Sequence, residues 1–139
     1  MEKFFAELVP SFDIAQKLSL NIDVQQLAKD LSGIAAFSAE GANLLVPKNK
    51  LTDNEALVIW LTAQYLGCKL GLVETDSLSK DELQMKLSKS GKIVSTRLGE
   101  LVKNEIAAKL ADDRFRITTF GLVQAQKEVV PKVRAKASA

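Results

Sequence analysis

The chain has 139 residues, enough to bury a real core as one domain or as one domain with a small appendage. Its 47% hydrophobic and 26% charged residues exclude wholesale disorder. A net charge of only +2 hides an uneven distribution: residues 1–77 hold 6 Lys and Arg against 10 Asp and Glu, whereas residues 78–139 hold 13 against 7. The basic second half is the footprint expected of a polyanion-binding surface.

Several chemistries drop out at once. There is no histidine, so the commonest general base and metal ligand are missing. The single Cys68 makes neither an intramolecular disulfide nor a structural zinc site, and it reads as a small core residue of a protein in the reducing cytoplasm. Gly71 and Gly91 are isolated, so no phosphate-binding glycine loop forms. Asp81 and Glu82 sit where a helix begins and favour its dipole. The expectation is therefore no enzyme, no cofactor and no metal. Met1 to Pro10 carries Glu2 and Glu7 and does not read as a secretory signal. The uncharged run Ala56 to Cys68 is shorter than the ~20 residues a membrane span needs.

In chain order, Phe4, Phe5, Leu8 and Val9 predict a short amphipathic helix ended by Pro10, and Lys17 to Ile22 alternates as a half-buried strand does. Asp23 caps a helix carrying Val24, Leu27, Ala28 and Leu31, with Gln26 placed to return a capping-box bond. Ile34–Phe37 and Leu44–Val46 flank a turn at Glu40-Gly41 and predict a β-hairpin. Pro47 to Lys50 reads as a linker.

Thr52-Asp53-Asn54-Glu55 is a second capping box, opening a helix from about Asp53 to Leu70 that is apolar nearly all round. Such a helix must be covered on every side, by the N-terminal element, by a second subunit, or by both. Ser79-Lys80-Asp81-Glu82 is a third box, flanked by Leu78 and Leu83, and its helix ends near Leu87. After the turn Ser88 to Gly91 a helix runs from Lys92 to about Lys103, with Asn104 as its left-handed terminus. Short strands follow at Ile106–Ala111 and Arg114–Thr118, with Leu110, Phe115 and Ile117 facing inward and Asp112-Asp113 at the tip. A last helix runs from Thr119 to Val130 and stops at Pro131. Residues 132–139 read as a frayed basic tail.

Three stretches carry a family resemblance: Leu83 to Leu87 before a Ser/Gly turn, Val94-Ser95-Thr96-Arg97-Leu98-Gly99-Glu100-Leu101, and Arg116-Ile117-Thr118-Thr119-Phe120-Gly121. In this order of elements, residues 51–131 resemble the winged helix-turn-helix superfamily, particularly its prokaryotic (including archaeal) transcription regulators. The fold expected is thus α+β: a winged helix-turn-helix domain at 51–131, a small α+β element at 1–50 (helix, strand, helix, β-hairpin) and a flexible basic tail at 132–139. Where such domains usually carry glycine after the recognition helix, this chain has Glu105. The resemblance implies a homodimer binding duplex DNA as a transcription regulator. An adaptor that binds protein or RNA on the same fold is the alternative.

At ~100° per residue, Val94, Leu98 and Leu101 share one side of the helix from Lys92. Lys92, Ser95, Thr96, Gly99 and Lys103 gather on the other. Their small polar groups and cations suit a groove of nucleic acid. Gly99 costs about 1 kcal/mol in a helix interior, so a packing or close-approach benefit is expected to offset it, either a flat contact with DNA or the close approach of another helix. Arg97 lies at the edge of the buried stripe, within reach of Glu100 or Glu82. Lys89 in the turn and Arg114 and Arg116 on the hairpin complete the expected nucleic-acid-binding set.

Overall fold

The computed structural model describes residues 22–138. The helix expected near Phe4 and, except for Ile22, the strand over Lys17–Ile22 fall outside them.

Asp23 opens α1 (Val24–Leu31) by accepting from the N–H groups of Gln25 and Gln26, while the Gln26 amide turns to Asp30 instead of back to the cap. Strands β1 (Ala35–Ser38) and β2 (Gly41–Leu44) then pair antiparallel, Ala35 opposite Leu44; the hairpin is as expected, but its second strand begins at Gly41, where a turn was expected, and ends at Leu44. A single 3₁₀ turn, Lys48–Lys50, leads to α2 (Asp53–Lys69). Both reciprocal bonds of its capping box are made: Thr52 Oγ1 accepts from Glu55 N at 3.1 Å, and Glu55 Oε1 accepts from Thr52 N at 2.9 Å.

Helix α2 is the axis of the molecule. Residues Ala56 to Gln64 are all buried. Its buried hydroxyl and amide are satisfied, Thr62 donating to the Val58 carbonyl at 2.7 Å and Gln64 to the Thr75 carbonyl at 2.6 Å, whereas the buried Trp60 Nε1–H has no partner among the described residues. Trp60 is closed off by Lys86, whose ammonium stands 4.4 Å from the ring centre. Leu27, Leu31, Ile34, Ala42 and Val46 belong to the same continuous core as the α2 residues. Residues 22–50 thus pack onto α2 as anticipated, and the boundary expected at residue 50 is no gap in the core. Gly67 lets the hairpin approach, since a Cβ there would lie 2.6 Å from Phe37 Cε1.

A short strand β3 (Leu78–Ser79) precedes α3 (Lys80–Leu87), whose capping box between Ser79 and Glu82 also forms both bonds, at 3.0 and 2.9 Å. Ser88 takes a left-handed conformation (φ 55°), Ser90 caps the next helix, and α4 runs from Gly91 to Lys103. Strands β4 (Ala107–Leu110) and β5 (Arg114–Ile117) follow, and the three short strands form an antiparallel sheet in the order β3-β5-β4. The fold is mixed helix and small antiparallel sheets, α+β as expected.

Three expectations are corrected. Leu110 is 40% exposed, not inward. The register pairs it with Arg114, and Ala108 with Arg116, so these four share the outer face while Phe115 and Ile117 turn to the core. The left-handed residue after α4 is Glu105 (φ 63°), not Asn104 (φ −88°). The reason is a paired C-terminal motif: Ile106 N–H bonds the Leu101 carbonyl at 2.9 Å and Glu105 N–H the Val102 carbonyl at 3.0 Å.

The third correction concerns the C-terminus. Helix α5 (Thr119–Gln124) passes through a π turn, Ala125–Val129, into α6 (Val130–Ser138), so Pro131 does not stop it. Proline in a helix lacks an N–H and crowds the carbonyl four residues back. The widened turn just before Pro131 accommodates that crowding. The expected flexible tail is helix through Ser138: Val133 is fully buried, the Arg134 guanidinium donates to the Asp30 carbonyl, and Lys136 reaches Glu55 at 2.6 Å. Gln126 adds a bond to Asp30 at 3.0 Å, so this helix straps α1 to α2.

Two predictions follow from these junctions. At Gly121 a Cβ would come 2.2 Å from the Ile106 carbonyl oxygen and 2.8 Å from Ile117. Gly121→Ala should therefore cost about 3 kcal/mol in a urea titration, the upper range for forced overpacking; an unchanged midpoint would refute this packing. At Glu55, burial pushes the carboxyl up, but the Lys136 hydrogen bond and charge and the Thr52 backbone and hydroxyl bonds outweigh it, leaving it below the usual glutamate value. A group depressed in this way contributes stability that is full above its unfolded-state pKa and lost as pH falls through the folded one. Thermal melts of Glu55→Gln should accordingly fall less steeply on acidification than those of the native chain.

Candidate nucleic-acid interface

Helix α4 is held by its inner stripe. Val94 and Leu98 are essentially fully buried and Leu101 nearly so, all within the common core. That anchoring turns Lys92, Ser95, Thr96, Gly99 and Lys103 outward, and all five are exposed. Lys92 and Lys103 have no acidic partner among the described residues. Thr96 Oγ1 donates to the Lys92 carbonyl at 2.9 Å, so its proton is engaged and its lone pairs face solvent as acceptors. Ser95 makes no such bond and keeps both donor and acceptor capacity.

Gly99 is the most informative position. A Cβ there would meet nothing within 4 Å, so no contact among the described residues requires the glycine. Its conformation is helical, so no backbone constraint requires it either.

The other four expected residues are tied within the chain. Arg97 pairs with Glu100 at 3.0 Å along its own helix. Lys89 reaches Asp53 at 3.7 Å and links the turn before α4 to the start of α2. Arg114 is a clamp, not a free cation: its Nε donates to Ser77 Oγ and its Nη2 to the Ser77 carbonyl, both at 2.8 Å, while Nη1 lies 3.5 Å from Glu82. Arg116 sits 3.6 Å from Asp76. These contacts sew β5 to the segment before α3. Nothing in the local pattern announces Ser77 as the partner, since it lies 37 residues away.

Beside the exposed face runs a groove that sequence reading did not identify. It lies between α4 and the β4–β5 hairpin and is lined by Lys80, Ser95, Leu98, Gly99, Lys109 and Asp113 among others. Lys109 comes to this side because the register sets it opposite Phe115, one face over from Leu110. At the hairpin tip Asp112 and Asp113 both take left-handed conformations (φ 61° and 54°). Acidic residues with short side chains tolerate that region better than most.

Cys68 is half-buried and free, and among the described residues no cluster of acids and cysteine could hold a metal ion. No helix among them is long and apolar enough to cross a membrane. The chain matches no family model, no curated protein and no solved structure.

Two substitutions separate intrinsic stability from use of this surface. Gly99→Ala should raise stability by about 1 kcal/mol, the ordinary alanine advantage in an exposed helix. Glu105→Gly should also stabilise, by about 1 kcal/mol, by relieving a left-handed non-glycine residue. Guanidinium unfolding reads both; a destabilised Gly99→Ala would mean that the glycine serves the fold after all.

Proposed function

We propose that this chain is a winged helix-turn-helix protein that reads duplex DNA with the outer face of α4, as a homodimer engaging two half-sites. The observation that carries this reading is Gly99 set among Lys92, Lys103 and Ser95: a costly residue, on an exposed cationic face, that no contact among the described residues requires. A bare Cα lets a helix backbone approach a groove closely, and short polar side chains can bond base edges or phosphates. The order helix, strand, helix, helix and two-stranded hairpin, with the sheet order β3-β5-β4, supports the winged-helix assignment. A homodimer fits the small number of free cations on one copy, because two half-sites double the phosphate contacts. Helix α2 is consumed by the chain's own core, so a second copy would pair elsewhere, and Phe120 at the start of α5, 40% exposed, is an apolar side chain open to it.

A second reading draws on a specific feature. The hairpin presents Asp112 and Asp113 at its tip and pairs Arg114 with Glu82 and Arg116 with Asp76, which suits a protein or ribonucleoprotein partner better than a minor groove.

The reading is tested by selecting from random duplex DNA and titrating the recovered sites with salt. Lys92→Ala and Lys103→Ala should each weaken binding across all sequences and reduce the salt slope by about one. Ser95→Ala and Thr96→Ala should instead relax sequence preference, and Gly99→Ala should weaken binding while stabilising the protein. Absence of duplex binding at low ionic strength would overturn the DNA reading in favour of the adaptor.

A further inference from the structure

The groove between α4 and the hairpin has a volume of about 390 Å³ and an uneven charge. Leu98 and Phe115, both buried, contribute to its lining, together with the Ser95 hydroxyl and the bare Cα of Gly99. Two lysines line it. Lys80, at the first residue of α3, is half-buried and has no acidic partner among the described residues. Lys109, on β4, is held by Asp113 at 3.5 Å, with both side chains well exposed. Resting on the DNA reading of α4, we propose that this groove seats a backbone phosphate through an exchange of partners: Lys80 meets it directly, while Lys109 leaves Asp113 to do so.

The physics of the exchange is simple. An exposed pair such as Lys109–Asp113 contributes little stability, so opening it costs little. A phosphate oxygen then replaces the carboxylate on Lys109, but Asp113 stays close and repels the incoming anion. Asp113 therefore acts as a brake on affinity that leaves base readout untouched, because no base edge is involved. Asp113, in the left-handed backbone of the tip, lines the groove together with its partner Lys109.

The experiment uses the full chain and its selected duplex, with salt-titrated binding read by fluorescence anisotropy. Lys80→Gln should weaken binding severalfold at every sequence and lower the salt slope by about one. Asp113→Asn should tighten binding severalfold, and Lys109→Gln should cost more in the Asp113→Asn background than alone, a non-additivity that reports the pair. Lys127→Gln, on the exposed side of the C-terminal helix, controls for loss of charge in general. If Lys80→Gln does no more than Lys127→Gln, or if the Lys109 and Asp113 effects simply add, the phosphate seat is wrong even though α4 binds DNA. If the native chain binds no duplex at low salt, both this seat and the reading it rests on fall together, an outcome distinct from failure of the seat alone.

Discussion

Everything outward about this protein is set by the need to bury α2. A helix with Leu57, Ile59 and Leu61 all essentially inaccessible has no solvent face along its middle, so each neighbouring element must present its own apolar stripe to it. The N-terminal hairpin comes in over Gly67, and the three-stranded sheet offers Phe115 and Ile117. Helix α4 contributes Val94, Leu98 and Leu101 to the same core. Once α4 is pinned in that way its opposite side has nowhere to go but out. The exposed cationic face is thus a geometric consequence of core packing, and its composition is the part that function can have chosen.

The C-terminal helix shows the same constraint from the other end. Left as a tail, residues 132–138 would expose Val133 and leave the Glu55 carboxyl half-buried without its cation. As a helix they bury the one and neutralise the other. The π turn before Pro131 is the local cost, and it puts the helix in position to touch both α1 and the start of α2. A proline that would ordinarily end a helix is overridden by contacts made several residues later.

Sequence reading succeeded where the deciding interaction is short-range. The Thr52/Glu55 and Ser79/Glu82 boxes each span three residues, and both were legible with their bonds. The buried stripe and free face of α4 were also legible, because helical period alone separates Val94, Leu98 and Leu101 from Lys92, Ser95 and Gly99. It failed where strand register, a remote partner or the choice between two adjacent residues decides. Leu110 looks like a core residue until the hairpin register places it beside Arg114. Arg114 looks like a free cation until Ser77 and Glu82 are brought to it. Glu105 takes the strained position because two hydrogen bonds back to Leu101 and Val102 are worth more than the relief Asn104 would offer.

That distinction changes the meaning of the charge asymmetry. The surplus of cations after residue 78 suggested a broad basic surface, yet most of it is spoken for: Lys89, Arg97, Lys109, Arg114, Arg116 and Lys136 face carboxylates, and Lys86 faces an indole. Pairing leaves the net charge unaltered, but it replaces a monopole by a dipole whose field falls off faster and is screened within about a Debye length. What an approaching polyanion meets at contact range is therefore dominated by the unpaired ammonium groups. Among the described residues after 78, these are Lys80, Lys92 and Lys103 on and beside α4, with Lys127 and Lys132 farther along the chain. A partner guided by so few free charges would owe its orientation to the shape of the α4 face and the groove beside it more than to long-range attraction, which makes close fit at Gly99 the more demanding requirement.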